Sequence, residues 1–212
     1  MTDTVIEPPE GRVALDNYPS RPDVTGPFLR WLQASGLAAP GAWLLDPCAG
    51  EGLFSAAQRL HGFRPLAVEI RPECEASLVA ATGGPDRVVI GDALAHPYWP
   101  GVGVVTNPPF SHTMEFIDQY GREGNRPFAA FLQRLNYMAP KIERPIEWWA
   151  RWCPSHALNL PKRPAFIATC SSPACKRRYP LERAKTLCVC GGRLSRTVDM
   201  TEYAFYVFGP EA

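Results

Sequence analysis

The sequence has no long hydrophobic run, no large excess of charge of either sign and no internal repeat. Its 22 lysines and arginines nearly balance its 21 aspartates and glutamates, which gives a formal net charge of +1 over 212 residues. No apolar run approaches the roughly 20 residues needed to cross a bilayer. The first ten residues are acidic and contain prolines instead of the apolar core of a secretory leader. We therefore expect a cytoplasmic protein.

The composition is that of an ordinary globular protein, with 46% hydrophobic and 20% charged residues. A chain of this length can bury a substantial core, so we predict a single domain over residues 1–212. Because the net charge is close to zero, any affinity for nucleic acid must come from local basic patches.

Short apolar runs alternate with helical patterns through the first two thirds of the chain. The predicted strands cover residues 42–45, 65–70, 88–90, 102–105 and 127–135, and the predicted helices cover 26–37, 52–61 and 112–120, with a further helix opening at Pro72. This alternation predicts an α/β fold with a mostly parallel, doubly wound sheet. An aromatic strand at 203–208 follows a cysteine-bearing segment, 168–197, which we interpret as an insert within a C-terminal antiparallel hairpin.

A glycine-containing turn follows the first predicted strand. Asp46 and Pro47 end that strand, and Gly50 and Gly52 permit unusual backbone angles and a close approach of the main chain to a ligand. Asp46 can accept hydrogen bonds from a cationic amine. This turn therefore predicts a binding site for a nucleoside cofactor.

Acidic residues also end the next two predicted strands. Glu69 ends the second, where a carboxylate can take both ribose hydroxyls, and Asp92 follows the third. The alternative is a nicotinamide dinucleotide loop, but Ser55 stands where that fingerprint has its third glycine, and Asp46-Pro47 is foreign to it.

The fourth predicted strand ends at Asn107-Pro108-Pro109-Phe110. An aromatic exocyclic nitrogen is a poor nucleophile, so an enzyme that alkylates it must orient the NH2 group. The Asn107 side-chain oxygen and the Pro108 carbonyl can each accept one N–H hydrogen. The two prolines, Pro108 and Pro109, stiffen the turn, and Phe110 can stack on a base. Positioning of this kind supplies much of the rate.

Together these motifs resemble the class I S-adenosylmethionine-dependent methyltransferases, in the branch that methylates amino or amide nitrogens. The resemblance implies a Rossmann-like fold in which the glycine turn wraps the methionine part of S-adenosyl-L-methionine and Asp92 reaches the adenine amino group. It also places Tyr18, in Asp16-Asn17-Tyr18-Pro19, near the cofactor.

Three further segments, 134–137, 162–166 and 199–208, resemble small methyltransferases of phages and prophages that act on adenine N6 in DNA. The resemblance implies DNA as partner and the bacterial host cytoplasm as location. N-methylation of an RNA base or a protein glutamine remains an alternative, as does a non-catalytic nucleic-acid-binding protein on the same scaffold. Target bases within a duplex must first be flipped out.

Four of the seven cysteines cluster late in the chain, at Cys170, Cys175, Cys188 and Cys190. Four thiolates suit one tetrahedral structural zinc ion, and we predict a zinc-ribbon-like insert. The insert is also basic, which favours contact with a phosphate backbone; these residues are Lys176, Arg177, Arg178, Arg183, Lys185, Arg193 and Arg196. We expect Cys48, Cys74 and Cys153 to be packing residues.

Overall fold

The computed structural model describes residues 22–95, 99–121, 126–138, 146–160, 167–175, 178–180, 187–188, 190–197 and 202–209. Within these ranges the α-helices are Pro22–Ala34 (α1), Leu53–Leu60 (α2), Glu75–Thr82 (α3), Thr113–Tyr120 (α4) and Ile146–Arg151 (α5). The strands are Trp43–Asp46 (β1), Arg64–Glu69 (β2), Val88–Ile90 (β3), Gly103–Thr106 (β4), Ala129–Arg134 (β5), His156–Asn159 (β6), Ile167–Cys170 (β7), Arg178–Pro180 (β8), Leu194–Thr197 (β9) and Tyr203–Phe208 (β10). None of these helices is long and apolar enough to cross a membrane.

Seven strands form one sheet in the order β3-β2-β1-β4-β5-β10-β6. The first five are parallel, whereas β10 runs antiparallel between β5 and β6. The strand order reverses between β1 and β4, and ligands of open α/β sheets bind outside the carboxyl ends of the strands at such a point. The prediction of an α/β fold with a mostly parallel sheet and a C-terminal antiparallel hairpin is confirmed.

Both faces of the sheet are covered, which explains why its central strands read as nearly continuous apolar runs. Leu44 and Val105 belong to the core on one face, together with Phe28 of α1 and Phe205 of β10, whose rings stack 3.9 Å apart. Their neighbours Leu45 and Val104 belong to the core on the other face. The alternation follows from the two-residue period of a strand.

The predicted insert lies between β6 and β10, the two strands of the hairpin. Its strands form a separate antiparallel sheet in the order β8-β7-β9. The described residues of the cysteine-bearing segment thus lie, along the chain, between the two strands of the C-terminal hairpin.

Two details of the sequence analysis were wrong. Helix α1 begins at Pro22, four residues before the predicted start, and continues through Pro27. Proline is favoured in the first turn of a helix, and burial of the Phe28 and Leu32 side chains on the sheet offsets the hydrogen bond that Pro27 cannot make. Cys153 is exposed instead of packed, whereas Cys74 is buried.

Candidate active site and cysteine cluster

The glycine turn between β1 and α2 depends on two positive φ angles, 58° at Gly50 and 86° at Gly52. A Cβ atom at Gly52 would also lie only 2.7 Å from the Cβ of Ala81 on α3. The turn is closed by a hydrogen bond from the Gly52 amide to the Ala49 carbonyl. A side chain at position 52 would therefore force the turn away from α3.

Asp46 is buried at the end of β1, next to the buried Pro47. Its Oδ1 atom accepts hydrogen bonds from the Thr106 hydroxyl at 2.7 Å and from the Cys48 backbone amide at 3.1 Å. The pKa of Asp46 is raised to about 7. Burial is the main cause and the negative charge of Glu69 adds to it, whereas the two hydrogen bonds act in the opposite direction. A cation bound beside Asp46 would favour the charged carboxylate.

Glu69 at the end of β2 is held by both neighbouring turns. Its Oε2 accepts the Gly50 amide at 2.6 Å, and its Oε1 accepts the backbone amide and the Nε of Arg71, at 3.1 and 2.8 Å. A carboxylate offers about four acceptor positions. With Arg71 in this position one is left, which suffices for one ribose hydroxyl but not for two.

Asp92, two residues beyond the end of β3, is exposed, and its Oδ1 accepts the Leu94 amide at 2.9 Å. Glu69 ends β2, and Asp92 lies beyond the end of the adjacent strand β3. Burial is the main cause that raises the pKa of the Cys48 thiol, and the negative charges of Asp46, Glu69 and Asp92 raise it further. The three acids predicted from separate strand ends therefore meet around one loop. Tyr18 lies outside the described residues.

The turn after β4 is shaped by its prolines and by the helix that follows. Pro108 is buried, Asn107, Pro109 and Phe110 are half-buried, and Phe110 begins a short 3-10 helix, Phe110–His112, that leads into α4. The turn follows Thr106, which contacts Asp46, so the two predicted motifs lie side by side.

Three side chains from other strands support this turn. At the start of α4, the Thr113 hydroxyl donates to the Gln133 Oε1 of β5 at 2.9 Å, and both residues are buried. Arg134 places its guanidinium carbon 5.1 Å from the centre of the Phe110 ring. The Tyr203 ring packs against Phe110 at a centroid distance of 5.8 Å.

Three residues of this site were not predicted from the sequence: Thr106, Arg71 and Gln133. Thr106 and Gln133 look like ordinary strand residues, because their hydrogen bonds join positions 60 and 20 residues apart. Arg71 offered a local signal, a cation two residues after Glu69, which could have suggested that the carboxylate is paired.

The four predicted cysteines come together in the insert, with all their sulfur atoms within 4.8 Å of one another. Cys170 and Cys190 are 3.5 Å apart, and Cys175 and Cys188 are 3.7 Å apart. Sulfur ligands of one tetrahedral zinc ion lie about 3.8 Å apart, given a Zn–S distance of about 2.3 Å, whereas a disulfide requires about 2.0 Å. The spacing fits a metal centre and not a pair of disulfides.

The backbone around this cluster is shaped to the sulfur atoms. The Ser172 amide donates a hydrogen bond to the Cys170 sulfur, and this bond is the largest single influence on the pKa of that thiol, which it lowers. Burial and the other three thiols together outweigh this bond and raise the pKa of Cys170 to about 12. A Cβ atom at Gly192 would lie 2.7 Å from the Cys170 sulfur. Of the basic residues, Arg193 is exposed, and Lys176, Arg177, Arg183 and Lys185 lie outside the described residues.

Two tryptophans in and directly after α5 belong to the core. Trp152 is buried, and Trp148 packs against the same side of the core and donates through Nε1 to Asp118 at 3.2 Å. These contacts favour packing over stacking on a ligand.

No protein-family model matches the sequence, and no curated protein matches it either. The fold, however, is similar to many solved structures. A candidate RNA methyltransferase from Pyrococcus horikoshii has 19% identity and a TM-score of 0.63, over 96% of this chain and 92% of that one.

Two further structures give the same result. The 23S rRNA methyltransferase ErmE has 15% identity and a TM-score of 0.54, over 88% of this chain and 68% of that one. A candidate class I S-adenosylmethionine-dependent methyltransferase from Listeria monocytogenes has 11% identity and a TM-score of 0.59, over 96% of this chain and 64% of that one. The chain therefore has the fold of the class I S-adenosylmethionine-dependent methyltransferases.

Proposed function

We propose that this protein is an S-adenosylmethionine-dependent methyltransferase that acts on an exocyclic amino nitrogen of a nucleic acid base. The observation that carries the proposal is the 2.7 Å hydrogen bond between Thr106 and Asp46. It joins the end of β1, where the cofactor turn begins, to the residue that precedes Asn107. Binding groups for a methyl donor and for an amine are thus neighbours at the strand-order reversal of the sheet.

The residues at this point fit the cofactor. Gly50 and Gly52 bring backbone close to a ligand without side chains, and the buried carboxyl of Asp46 suits the ammonium group of the methionine part. Glu69 has an acceptor position for a ribose hydroxyl, and Asp92 has an exposed carboxyl for the adenine amine. When bound, S-adenosylmethionine supplies a methyl group activated by a positively charged sulfur.

The turn at Asn107 would orient the acceptor nitrogen. The Asn107 side-chain oxygen and the Pro108 carbonyl would each accept one of its hydrogens, so that the nitrogen lone pair points out of the plane of the ring. The nitrogen would bond to the methyl carbon as the bond from that carbon to sulfur breaks, which leaves S-adenosylhomocysteine, and the nitrogen would lose one proton to water. No strong base is required, because orientation of the reacting groups supplies much of the rate.

An aromatic base is the acceptor that best suits this turn. Phe110 lies at its end, and the guanidinium of Arg134 adds a positive charge beside the ring. Stacking on an aromatic side chain and attraction of a phosphate by arginine are the usual means of binding an unpaired base. We propose adenine N6 in DNA as the target, from the resemblance to small phage enzymes. RNA is the second candidate, since two of the similar structures bear the names of RNA methyltransferases.

Transfer of a radiolabelled methyl group to unmethylated DNA, to total RNA and to a protein extract would test the proposal. We expect label in DNA, recovered as N6-methyladenine after digestion to nucleosides. Label in RNA alone would support the second candidate, and label in glutamine would refute nucleic acid as the substrate. Binding of DNA without any transfer would identify a non-catalytic protein.

The variant Asn107→Ala tests the role of the turn. It should lower the transfer rate at least 100-fold, because the amine loses one of its two acceptors, while cofactor affinity changes less than threefold. Asn159→Ala is the matched control, since Asn159 is exposed on β6, three strands away from β4. Transfer by Asn107→Ala at the rate of the control would contradict the assigned role.

We further propose that Cys170, Cys175, Cys188 and Cys190 hold a structural zinc ion. Protein purified without chelator should contain one zinc per chain by elemental analysis, and Cys188→Ser should lose it. Cys153→Ser, a change at an exposed cysteine, is the control and should keep the metal. A wild-type protein without stoichiometric metal would refute the proposal.

A further inference from the structure

Thr106 is a buried hydroxyl placed between the two halves of the proposed site. It is the last residue of β4, is fully inaccessible to solvent and immediately precedes Asn107. A hydroxyl in such a position is unfavourable unless it is hydrogen-bonded. Its partner is Oδ1 of Asp46, on the neighbouring strand and 60 residues away in the sequence.

The hydrogen bonds of Asp46 are unequally divided between its two oxygens. Oδ1 accepts from both the Thr106 hydroxyl and the Cys48 amide, at 2.7 and 3.1 Å. Two donors on one oxygen fix the rotation of the carboxyl group. Oδ2 has no protein donor among the described residues, so the orientation that Thr106 enforces leaves Oδ2 for a ligand.

We infer that Thr106 is a positioning residue that holds Asp46 so that Oδ2 receives the ammonium group of the methyl donor. This inference rests on the proposed function and adds a residue to it. Because Thr106 is bonded to Asn107 in the chain, the same contact also fixes the turn that orients the acceptor. The groups that bind the methyl donor and the methyl acceptor are thereby held in fixed positions relative to each other.

The charges around Asp46 determine what loss of this hydroxyl would do. Glu69 on β2, Asp92 after β3 and the Cys48 thiol on the same loop face this region, and Arg71 is the cation paired with Glu69. The acidic neighbours disfavour a second negative charge, so the donors on Oδ1 are needed to keep Asp46 charged near neutral pH. A variant without the hydroxyl should hold its proton to higher pH and bind a cationic ligand less well.

The test is the pH dependence of S-adenosylmethionine and S-adenosylhomocysteine binding, measured by titration calorimetry between pH 5.5 and 8.5. Wild-type affinity should rise with pH, and the midpoint of this rise should lie near pH 7, the pKa of Asp46. An α-amino group of the ligand loses its proton at about pH 8, so the rising limb alone reports Asp46.

Thr106→Val should move this midpoint upward by about one pH unit and weaken binding at pH 7 about fivefold, because only about a tenth of Asp46 would then be charged at that pH. Thr106→Ser keeps the hydroxyl and should retain the wild-type midpoint, which a purely structural role of the threonine methyl would not predict. Thr106→Ala provides the same comparison if the valine variant does not fold.

The outcomes separate the inference from the function on which it rests. Wild-type protein that binds neither ligand would refute the proposed function. Wild-type binding with a midpoint near 7 that Thr106→Val or Thr106→Ala leaves unchanged would refute the role of Thr106 alone.

Discussion

Replacing Asp46 with asparagine should stabilise the protein in the absence of cofactor, although it removes a residue of the proposed site. The pKa of Asp46 is raised from 3.8 to about 7, chiefly by burial. Between these two values the folded protein keeps the proton while the unfolded chain loses it. The stability that the neutral carboxyl provides is fully present below about pH 4 and is lost as the pH rises to about 7.

The expected magnitude follows from the width of that interval. Each pH unit changes the free energy of unfolding by up to about 1.4 kcal/mol, so the complete loss amounts to at most about 4 kcal/mol. Asn keeps the acceptor oxygen for Thr106 and Cys48 but carries no charge. The free energy of unfolding of Asp46→Asn minus that of the wild type should therefore be near zero at pH 4 and rise to about 4 kcal/mol at pH 8.

Urea unfolding of both proteins at pH 4, 5, 6, 7 and 8 measures this difference, since other titrating groups cancel in it. Asp86→Asn, at an exposed aspartate, is the matched control. A difference for Asp46→Asn that stays flat from pH 4 to 8, or a variant less stable than the wild type at pH 8, would refute the reasoning.

Three more substitutions test separate parts of the structure. Gly52→Ala should destabilise the protein by about 1–3 kcal/mol more than Gly36→Ala in thermal unfolding, because both positions have positive φ but only the first places a Cβ within 4 Å of other atoms. Gly192→Ala should reduce bound zinc in elemental analysis by displacing a sulfur ligand, whereas Gly191→Ala, with φ of 82° and nothing within 4 Å, should retain it. Phe110→Ala should reduce methyl transfer about 10- to 100-fold through loss of stacking, with unchanged cofactor affinity in calorimetry; an equal loss of both would contradict a role in base binding.

The parts of the fold that follow from local patterns could be predicted from the sequence. Buried parallel strands read as apolar runs, so β1 and β4 were located to within one residue, and Asp46 and Asn107 were predicted at the carboxyl ends of two strands that are neighbours in the sheet. The start of α1 was missed because packing of its side chains outweighs the local effect of a proline. The contact of Thr106 with Asp46 could not be predicted, since it depends on which strands are neighbours and on their register.

The same limit applies to the cysteines. Their residue type and clustering along the chain predicted a metal site, but the spacing does not give the distances between sulfur atoms. Those distances result from the pairing of β7 with β9, which brings Cys170 opposite Leu194 and hence close to the turn that carries Cys188 and Cys190.

The insert leaves and re-enters the sheet at a single point. The Leu160 amide, just after β6, donates to the Tyr203 carbonyl at the start of β10 at 2.9 Å, so the two ends of the intervening chain are already in contact. The free-energy cost of closing a loop grows only slowly with its length. The segment between these two residues can therefore vary in length, or be exchanged for a tight turn, without a change in the register of the two strands that flank it.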